Sequence, residues 1–112
     1  MVSGLTPVRR GDIWLIEIDP TIGTEIQKTR PCLIVSPPEI NDYLRLVTVA
    51  PMTTGSRPAP FRIPVQFQGK TGLIVLEQMR SVDRRRFVRR LGAVKPATLT
   101  LVLATLRDIF ED

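Results

Sequence analysis

A chain of 112 residues is long enough for one domain with a single modest core. Apolar residues make up 43% of it, which is typical of globular rather than disordered proteins. No apolar run approaches the roughly 18 residues of a membrane span, and the first residues lack the apolar core of a signal peptide. We therefore expect a soluble, cytoplasmic protein that does not contact a membrane.

The side-chain inventory excludes several kinds of chemistry. The chain has no histidine, which removes the commonest general base, the commonest metal ligand and every His-containing triad. Cys32 is the only cysteine, so an intramolecular disulfide and a cysteine-based zinc site are both excluded. No carboxylate cluster has the spacing of a metal site, and we expect no metal and no cofactor. The net charge of +5 favours phosphate or an acidic protein as the partner, although a solvated basic face explains it equally.

Short strand patterns occupy most of the chain. The first places Trp14, Ile16 and Ile18 on one face, and the second is a continuous apolar run, as expected of a strand covered on both faces. The fourth alternates and contains Pro64, which indicates an edge strand. The predicted strands cover residues 12–18, 31–36, 46–51, 61–68, 73–76 (continuing toward 81) and a short 91–94. The inward side chains of the fourth strand are Phe61, Ile63, Val65 and Phe67.

The last part of the chain predicts a helix. Apolar residues recur at helical spacing from Leu99 to Phe110, and Pro96 lies where a first helical turn tolerates proline. Acidic residues at the end oppose the helix dipole, so we expect the last turn to fray. So many short strands before one helix favour a mostly β fold, a small bent barrel with a C-terminal helix. Residues 1–9 are expected to form a loose arm, and residues 10–112 a single domain.

Two loop segments carry candidate functional residues. The segment 19–31 contains Glu25, Lys28 and Arg30, and the proline after Arg30 holds its backbone extended at the entrance to a strand. A mobile loop with solvated charges is the simpler interpretation. Thr53 and Thr54 end the third strand beside a glycine, where two hydroxyls are able to bind a phosphate oxygen or form a plain turn.

Two further segments are polar or basic. Glu77, Gln78 and Arg80 interrupt a strongly apolar strand, so the carboxylate of Glu77 is expected in a cleft or in an ion pair with Arg80 or another arginine. Residues 84–86, 89 and 90 are all arginines. Such a run is usually a solvated face, and the alternative is attraction to phosphate or to the acidic tail of a partner.

Taken in order, these segments resemble the MazF/PemK family of bacterial toxin endoribonucleases. The resemblance covers residues 10–112, nearly the whole chain. The strongest stretches are Arg10-Gly11-Asp12-Ile13-Trp14, Asp19-Pro20-Thr21-Ile22-Gly23-Thr24-Glu25, Thr29-Arg30-Pro31-Cys32-Leu33-Ile34-Val35, Val49-Ala50-Pro51-Met52-Thr53-Thr54 and Leu76-Glu77-Gln78-Met79-Arg80-Ser81-Val82-Asp83.

The resemblance implies an SH3-like barrel that acts as a homodimer and is neutralised by a cognate antitoxin protein. It also implies an mRNA interferase, which cuts single-stranded mRNA at a short sequence without a metal. By family position, Arg30 and Thr53 match the catalytic pair, and Glu25 matches a residue tied to activity in some members. The substrate-binding set that we predict is Lys28, Thr54, Arg57, Glu77, Gln78 and Arg80.

One departure from the family concerns Glu77. A branch of the family has an arginine two residues before the matching acidic position, and this chain has Val75 there. We expect the RNA 2′-hydroxyl to be the nucleophile and to leave a 2′,3′-cyclic phosphate, with Arg30 and Thr53 stabilising charge on the phosphate. An arginine is a poor proton acceptor, so Glu25 or Glu77 is the easier candidate for the base.

Two other functions fit the same composition. One is a non-enzymatic toxin of the same barrel type that poisons DNA gyrase, whose activity depends on C-terminal residues of the last helix. The other is a basic binding module of SH3-like fold that has lost catalysis. The ordered set of motifs favours the endoribonuclease.

Overall fold

A computed structural model describes residues 7–19 and 28–112. Within them the chain forms seven strands and two helices, and 3₁₀ turns at Leu76–Gln78 and Arg84–Arg86 connect the last three strands. No helix in these two segments is long and apolar enough to cross a membrane. The elements are β1 (Asp12–Asp19), β2 (Lys28–Ile34), α1 (Pro38–Asn41), β3 (Leu46–Thr53), β4 (Arg62–Phe67), β5 (Lys70–Val75), β6 (Arg80–Asp83), β7 (Phe87–Ala93) and α2 (Pro96–Phe110).

The strands form an antiparallel sheet in the order β4-β5-β3-β2-β1-β7. β3 is central, with β2 along one side. Its other side is shared, because β6 pairs with Leu46–Val49 and β5 pairs with Met52 and Thr53. The 3₁₀ turn Leu76–Gln78 carries the chain from one of these partners to the other. This bent sheet with its C-terminal helix confirms the predicted fold class, and β4, which contains Pro64, is an edge strand as predicted.

Apolar side chains cover both faces of the three inner strands. Trp14, Ile16 and Ile18 belong to one core cluster, as their spacing predicted, and Ile13 and Leu33 belong to a second cluster on the opposite face. Val102 of α2 is fully buried in that second cluster. The apolar run in β2 is therefore buried on both sides, which explains why it does not alternate.

The Gly-Asp motif at the start of β1 has a structural role. Gly11 has a φ of +92°, and a Cβ there would lie only 3.2 Å from Cδ2 of Leu99 in α2. The buried carboxylate of Asp12 accepts hydrogen bonds from the backbone N–H of Arg9 at 3.0 Å and from the guanidinium of Arg90 at 3.2 Å. The absence of a side chain at Gly11 thus lets the beginning of β1 lie close to α2, and the bond from Arg90 joins it to β7.

Some strand boundaries differ from those predicted. β2 begins at Lys28, so Lys28 and Arg30 lie in a strand rather than in a loop. The predicted fifth strand ends at Val75 and does not continue toward residue 81, because the 3₁₀ turn moves the chain to a new position along β3. The predicted short sixth strand is the seven-residue β7, which pairs with β1.

Other differences concern single residues. Val8 is buried in the first core cluster, so the packed chain begins before residue 10 and the expected loose arm does not extend to residue 9. Phe61 precedes β4 and is exposed rather than inward. α2 is formed through Phe110, although Phe110 itself is exposed. The short helix α1 was not predicted, and the buried amide of Asn41 stabilises it by donating to the carbonyl of Ser36 at 2.7 Å.

The arginine run at residues 84–86 is less solvated than expected. Arg84 donates to the backbone carbonyls of Leu44 and Asn41, and Arg86 donates to the carbonyl of Ile18 at 3.3 Å. These bonds tie the 3₁₀ turn to α1 and to the end of β1. The run therefore has a structural role as well as a charge.

Candidate functional site

Arg30 and Thr53 lie beside each other on neighbouring strands. Cys32 pairs with Pro51 between β2 and β3, and one further two-residue step along this antiparallel register brings Arg30 next to Thr53. Both residues are half-buried, and both line each of two cavities at this end of the sheet. The tertiary structure thus brings together the two residues that match the family's catalytic pair.

The hydroxyl of Thr53 is oriented by the chain that follows it. Its Oγ1 accepts a hydrogen bond from the backbone N–H of Gly55 at 3.2 Å. A threonine hydroxyl has one O–H donor as well as its lone pairs, so accepting this bond leaves the proton available to an incoming group. An oriented hydroxyl beside a guanidinium is suited to the non-bridging oxygens of a phosphodiester.

The first cavity, which we call the hairpin cavity, lies between β2 and the β4–β5 hairpin and has a volume of about 390 Å³. Two predicted substrate-binding residues, Lys28 and Thr54, line it together with Arg30 and Thr53. The hairpin contributes Val65, Phe67, Gln68, Lys70 and Gly72.

The second cavity, which we call the turn cavity, has a volume of about 400 Å³. It is lined by Gln78 and Arg80 as well as by Arg30 and Thr53. Arg80 donates to the backbone carbonyl of Ile18 at 2.9 Å, which ties the start of β6 to the end of β1. This bond holds a second guanidinium on the Arg30 side of the molecule. A pair of arginines around one cavity favours an anionic ligand.

Cys32 is buried and lies two residues from Arg30 in β2, where its thiol is unsuited to act as a nucleophile. Burial raises the pKa of the Cys32 thiol to about 12, and the nearby charges of Arg30 and Arg80 oppose this effect without overcoming it. The thiol therefore stays protonated at neutral pH, and a protonated thiol is a poor nucleophile.

Glu77 forms an ion pair with an arginine, which is one of the two arrangements expected for it, and the partner is Arg62 rather than Arg80. Its Oε2 accepts two hydrogen bonds from Arg62, at 2.9 Å from Nε and 2.6 Å from Nη2, and Arg62 lies directly opposite Val75 in the β4–β5 ladder. Glu77 therefore has an arginine partner from the adjacent strand, although its own strand has Val75 two residues before it. The hydrogen bonds from Arg62 hold the pKa of the Glu77 carboxyl below its usual value, which makes it a weak base.

Two other predicted residues are placed differently from the rest. Arg57 is exposed, and its backbone carbonyl accepts a hydrogen bond from Nη1 of Arg62 at 2.8 Å. Neither Arg57 nor Glu77 is among the described residues that line the hairpin and turn cavities. Glu25 lies outside the described residues.

Sequence reasoning missed the contribution of the β4–β5 hairpin. Alternation predicted that Phe67 faces the core. This is partly confirmed, because the ring is only partly buried but packs against the second core cluster. The same ring also lines the hairpin cavity with Gln68 and Lys70. The pairing of β5 with the end of β3 places them there, and no local pattern shows that pairing.

Comparison with known proteins identifies the family. Residues 9–110 match the model of the PemK-like, MazF-like toxins of type II toxin–antitoxin systems. The chain is 37% identical over 115 residues to the endoribonuclease PemK of Escherichia coli, covering 97% of this chain and 86% of that protein. It is 32% identical over 107 residues to an Escherichia coli endoribonuclease toxin MazF, covering 95% of this chain and 96% of that protein.

Solved structures agree with the sequence comparison. The structure of MazE-MazF from Deinococcus radiodurans (Form-II) superposes with a TM-score of 0.78 at 25% identity, covering 91% of this chain and 94% of that one. The structure of MazF from the same organism gives a TM-score of 0.74, also at 25% identity, covering 94% and 96%. Together with the family match over almost the whole chain, these similarities show that the protein belongs to the PemK/MazF family of toxins from type II toxin–antitoxin systems.

Proposed function

We propose that this toxin is an endoribonuclease that cuts single-stranded mRNA in the cytoplasm, at the phosphate bound between Arg30 and Thr53, without a metal. The observation that carries the proposal is the position of this pair between two cavities. An extended RNA strand that crosses the pair has a cavity for a nucleotide on each side of the phosphate. Sequence-specific RNA recognition mostly targets such unpaired, splayed nucleotides.

The cleavage uses the nucleophile that RNA itself supplies. The 2′-hydroxyl loses its proton as its oxygen bonds to phosphorus, the bond from phosphorus to the 5′-oxygen breaks, and that oxygen takes up a proton from water. The products are a 2′,3′-cyclic phosphate and a 5′-hydroxyl. Arg30 and the O–H of Thr53 stabilise the charge that develops on the non-bridging oxygens, and preorganised donors of this kind are each worth about 2.7–4 kcal/mol in a transition state. Arg80 adds positive charge from the turn cavity.

Glu25 is the proposed base for the 2′-hydroxyl proton. The alternative, Glu77, is bound by Arg62, which lowers its pKa. The segment that carries Glu25 is bounded by residues of the site, because Ile18 lines the turn cavity and Lys28 lines the hairpin cavity. A carboxylate in this segment is therefore a short distance along the chain from both cavities.

We further propose a homodimer that a cognate antitoxin neutralises. α2 exposes the apolar side chains of Leu101, Ile109 and Phe110, with 51%, 45% and 72% of their surface accessible, and such exposed apolar surface suits a second copy of the chain. The excess of positive charge suits an acidic antitoxin segment. Among the similar structures, one is an endoribonuclease in complex with its cognate antitoxin from a mycobacterial species, at a TM-score of 0.73 and 23% identity.

The proposed cleavage is tested on a long unstructured RNA in the presence of a metal chelator. Purified wild-type protein and the Arg30→Ala variant are compared, and the ends of the fragments are mapped and chemically identified. We expect wild type to cut at a short recurring sequence and to leave a cyclic phosphate, and Arg30→Ala to lose at least about a hundredfold in rate. An Arg89→Ala variant is the control, because it removes an exposed arginine of β7 that lines neither cavity.

Three results would contradict the proposal. The first is the loss of all cutting in chelator, and the second is a product without a cyclic phosphate. The third is growth arrest by Arg30→Ala at the wild-type level, which would favour the non-enzymatic toxin.

A further inference from the structure

The hairpin cavity occupies the place of a missing strand. β3 separates β2 from β5 and ends at Thr53, whereas β2 continues to Lys28 and β5 begins at Lys70. Both extensions line the cavity. Since neighbouring strands are about 4.8 Å apart, the backbones of two strands that flank an absent one lie roughly 10 Å apart and leave a slot with the width of one strand. A slot of that width admits a flat ring together with its backbone.

An aromatic ring forms one wall of this slot. Phe67 is half-buried, and a Cβ built at Gly92 on β7 would lie 3.4 Å from its Cε1 and 3.9 Å from its Cζ. The glycine therefore leaves room for the ring, and β7 supports it from behind. Val65 continues the same apolar wall. A supported ring beside an open cavity is the arrangement on which nucleobases stack.

The charges around the slot favour a nucleic acid over an acidic peptide strand, because the wall includes an aromatic stacking surface as well as cations. Lys28, Arg30 and Lys70 line it, and no acidic side chain is among the described lining residues. The side chains of Lys28 and Lys70 are exposed, whereas the ring of Phe67 is half-buried. A nucleic acid provides a ligand for each of them, because its phosphates bind the cations and a base stacks on the ring.

The hairpin turn holds a residue that turn geometry alone does not favour. Gln68 and Gly69 have φ values of +51° and +74°, the positive values that a two-residue type I′ turn requires at both positions. Asn is the residue usually preferred at the first position, because it tolerates this conformation. Gln68 keeps the amide, carries it one carbon further, and lines the cavity. A less favoured residue at a turn beside a cavity points to a role for its side chain.

We propose that the hairpin cavity is a nucleobase subsite, in which an unpaired base next to the scissile phosphate stacks on Phe67 and is read at its edge by Gln68. This inference rests on the proposed endoribonuclease function and assigns the recognition of one nucleotide to the β4–β5 hairpin. Phe67 and Gln68 are specificity residues in this assignment, and Lys28 and Lys70 contact the phosphates on either side of the base.

The test measures base preference position by position. An unstructured RNA with a randomised window is cut by each variant, and the ends are sequenced to give the preference at every position around the cleaved bond. Gln68→Asn is the decisive variant, because Asn is favoured at this turn position and its side chain carries the amide on one carbon fewer. Gln66→Asn is its matched control, since Gln66 is exposed on the same hairpin and is not among the lining residues. Phe67→Leu removes the ring but keeps apolar volume, and Phe67→Tyr keeps the ring.

We expect Gln68→Asn and Phe67→Leu to reduce discrimination at one and the same position by about tenfold, as the loss of one stacked or read base does. Gln66→Asn and Phe67→Tyr should keep the wild-type preference, and Gln68→Asn should unfold at the wild-type temperature or above. Unchanged preferences in both Gln68→Asn and Phe67→Leu would overturn the inference, as would losses spread over all positions. The inference would also be overturned if these variants bound an antitoxin more weakly but kept the wild-type base preference. If wild type cuts no RNA, the proposed function itself fails.

Discussion

The guanidinium of Arg62 binds one carboxylate oxygen of Glu77 through two hydrogen bonds while a third reaches the backbone carbonyl of Arg57. One arginine at the edge of the sheet thereby joins the 3₁₀ turn after β5 to the loop before β4. The pair is partly exposed, with 23% and 32% of the two side chains accessible, so its contribution to stability is small. Its main effect is on the position of that loop and on the basicity of Glu77.

The Arg62–Glu77 pair makes the stability of the fold depend on pH, and the lowered pKa of Glu77 gives the direction of this dependence. The pKa of Glu77 in the folded protein lies below its ordinary value of 4.5, so the pair stabilises the fold above that pH and loses this effect as the pH falls through the folded value. We expect wild type to unfold at a slightly higher temperature than Glu77→Gln at pH 7, and the difference to vanish in acid. Thermal unfolding across this range measures it. Glu39→Gln, at an exposed position of α1, is the control, and an equal pH-dependent loss there would contradict the assignment to this pair.

The Thr53 hydroxyl is predicted to act as a hydrogen-bond donor rather than as a packing group. Thr53→Val keeps the shape and removes the hydroxyl, and it should lower kcat/KM by about 10²–10³-fold. Thr53→Ser keeps the hydroxyl and the acceptor for the Gly55 N–H, so it should stay within about tenfold of wild type. Steady-state cleavage of a short RNA measures both variants, and equal losses in the two would show that the methyl group matters instead.

Glu25 is predicted to be the general base. Glu25→Gln should lower kcat by about 10²–10⁴-fold and should abolish the rise of the rate with pH through the range where a carboxyl titrates. The pH–rate profile is the decisive measurement, because a residue that only binds RNA would change KM and leave the profile in place. Glu39→Gln serves again as a control for the loss of one acidic residue. A Glu25→Gln enzyme with an unchanged profile would exclude this role.

Gly72 is predicted to be essential for the position of Thr53. A Cβ at Gly72 would lie 2.8 Å from the backbone oxygen of Thr53, so alanine there must displace the end of β3. Because small misplacements of catalytic groups are costly, we expect Gly72→Ala to lose about ten- to a hundredfold in kcat. Gly69→Ala is the control, since it strains the same hairpin at a φ of +74° but places nothing within 4 Å of its new carbon. Equal effects of both variants on kcat would assign the loss to the hairpin turn.

Local patterns and composition in the sequence determined several elements of the fold and the kinds of chemistry available to the protein. Alternation identified the buried face of β1, the continuous apolar run identified β2 as a strand covered on both sides, and helical spacing identified α2. The absence of histidine and the presence of a single cysteine restricted any chemistry to carboxylate, hydroxyl, arginine, lysine and tyrosine groups. The strands and the helix are predictable because each depends on which side of one element faces the core, and a few adjacent residues decide that.

Only the tertiary structure decided which residues from distant parts of the chain lie next to each other. The register of β2 against β3 places Arg30 beside Thr53, the ladder of β4 with β5 gives Glu77 its partner Arg62, and the early end of β3 opens the hairpin cavity beside Phe67. Each relation joins residues that lie far apart in the chain. Strand pairing between distant segments is set by the packing of the whole core, which no local window contains. The resemblance to the family named the pair Arg30 and Thr53, and the sheet supplied the physical reason that these two residues meet.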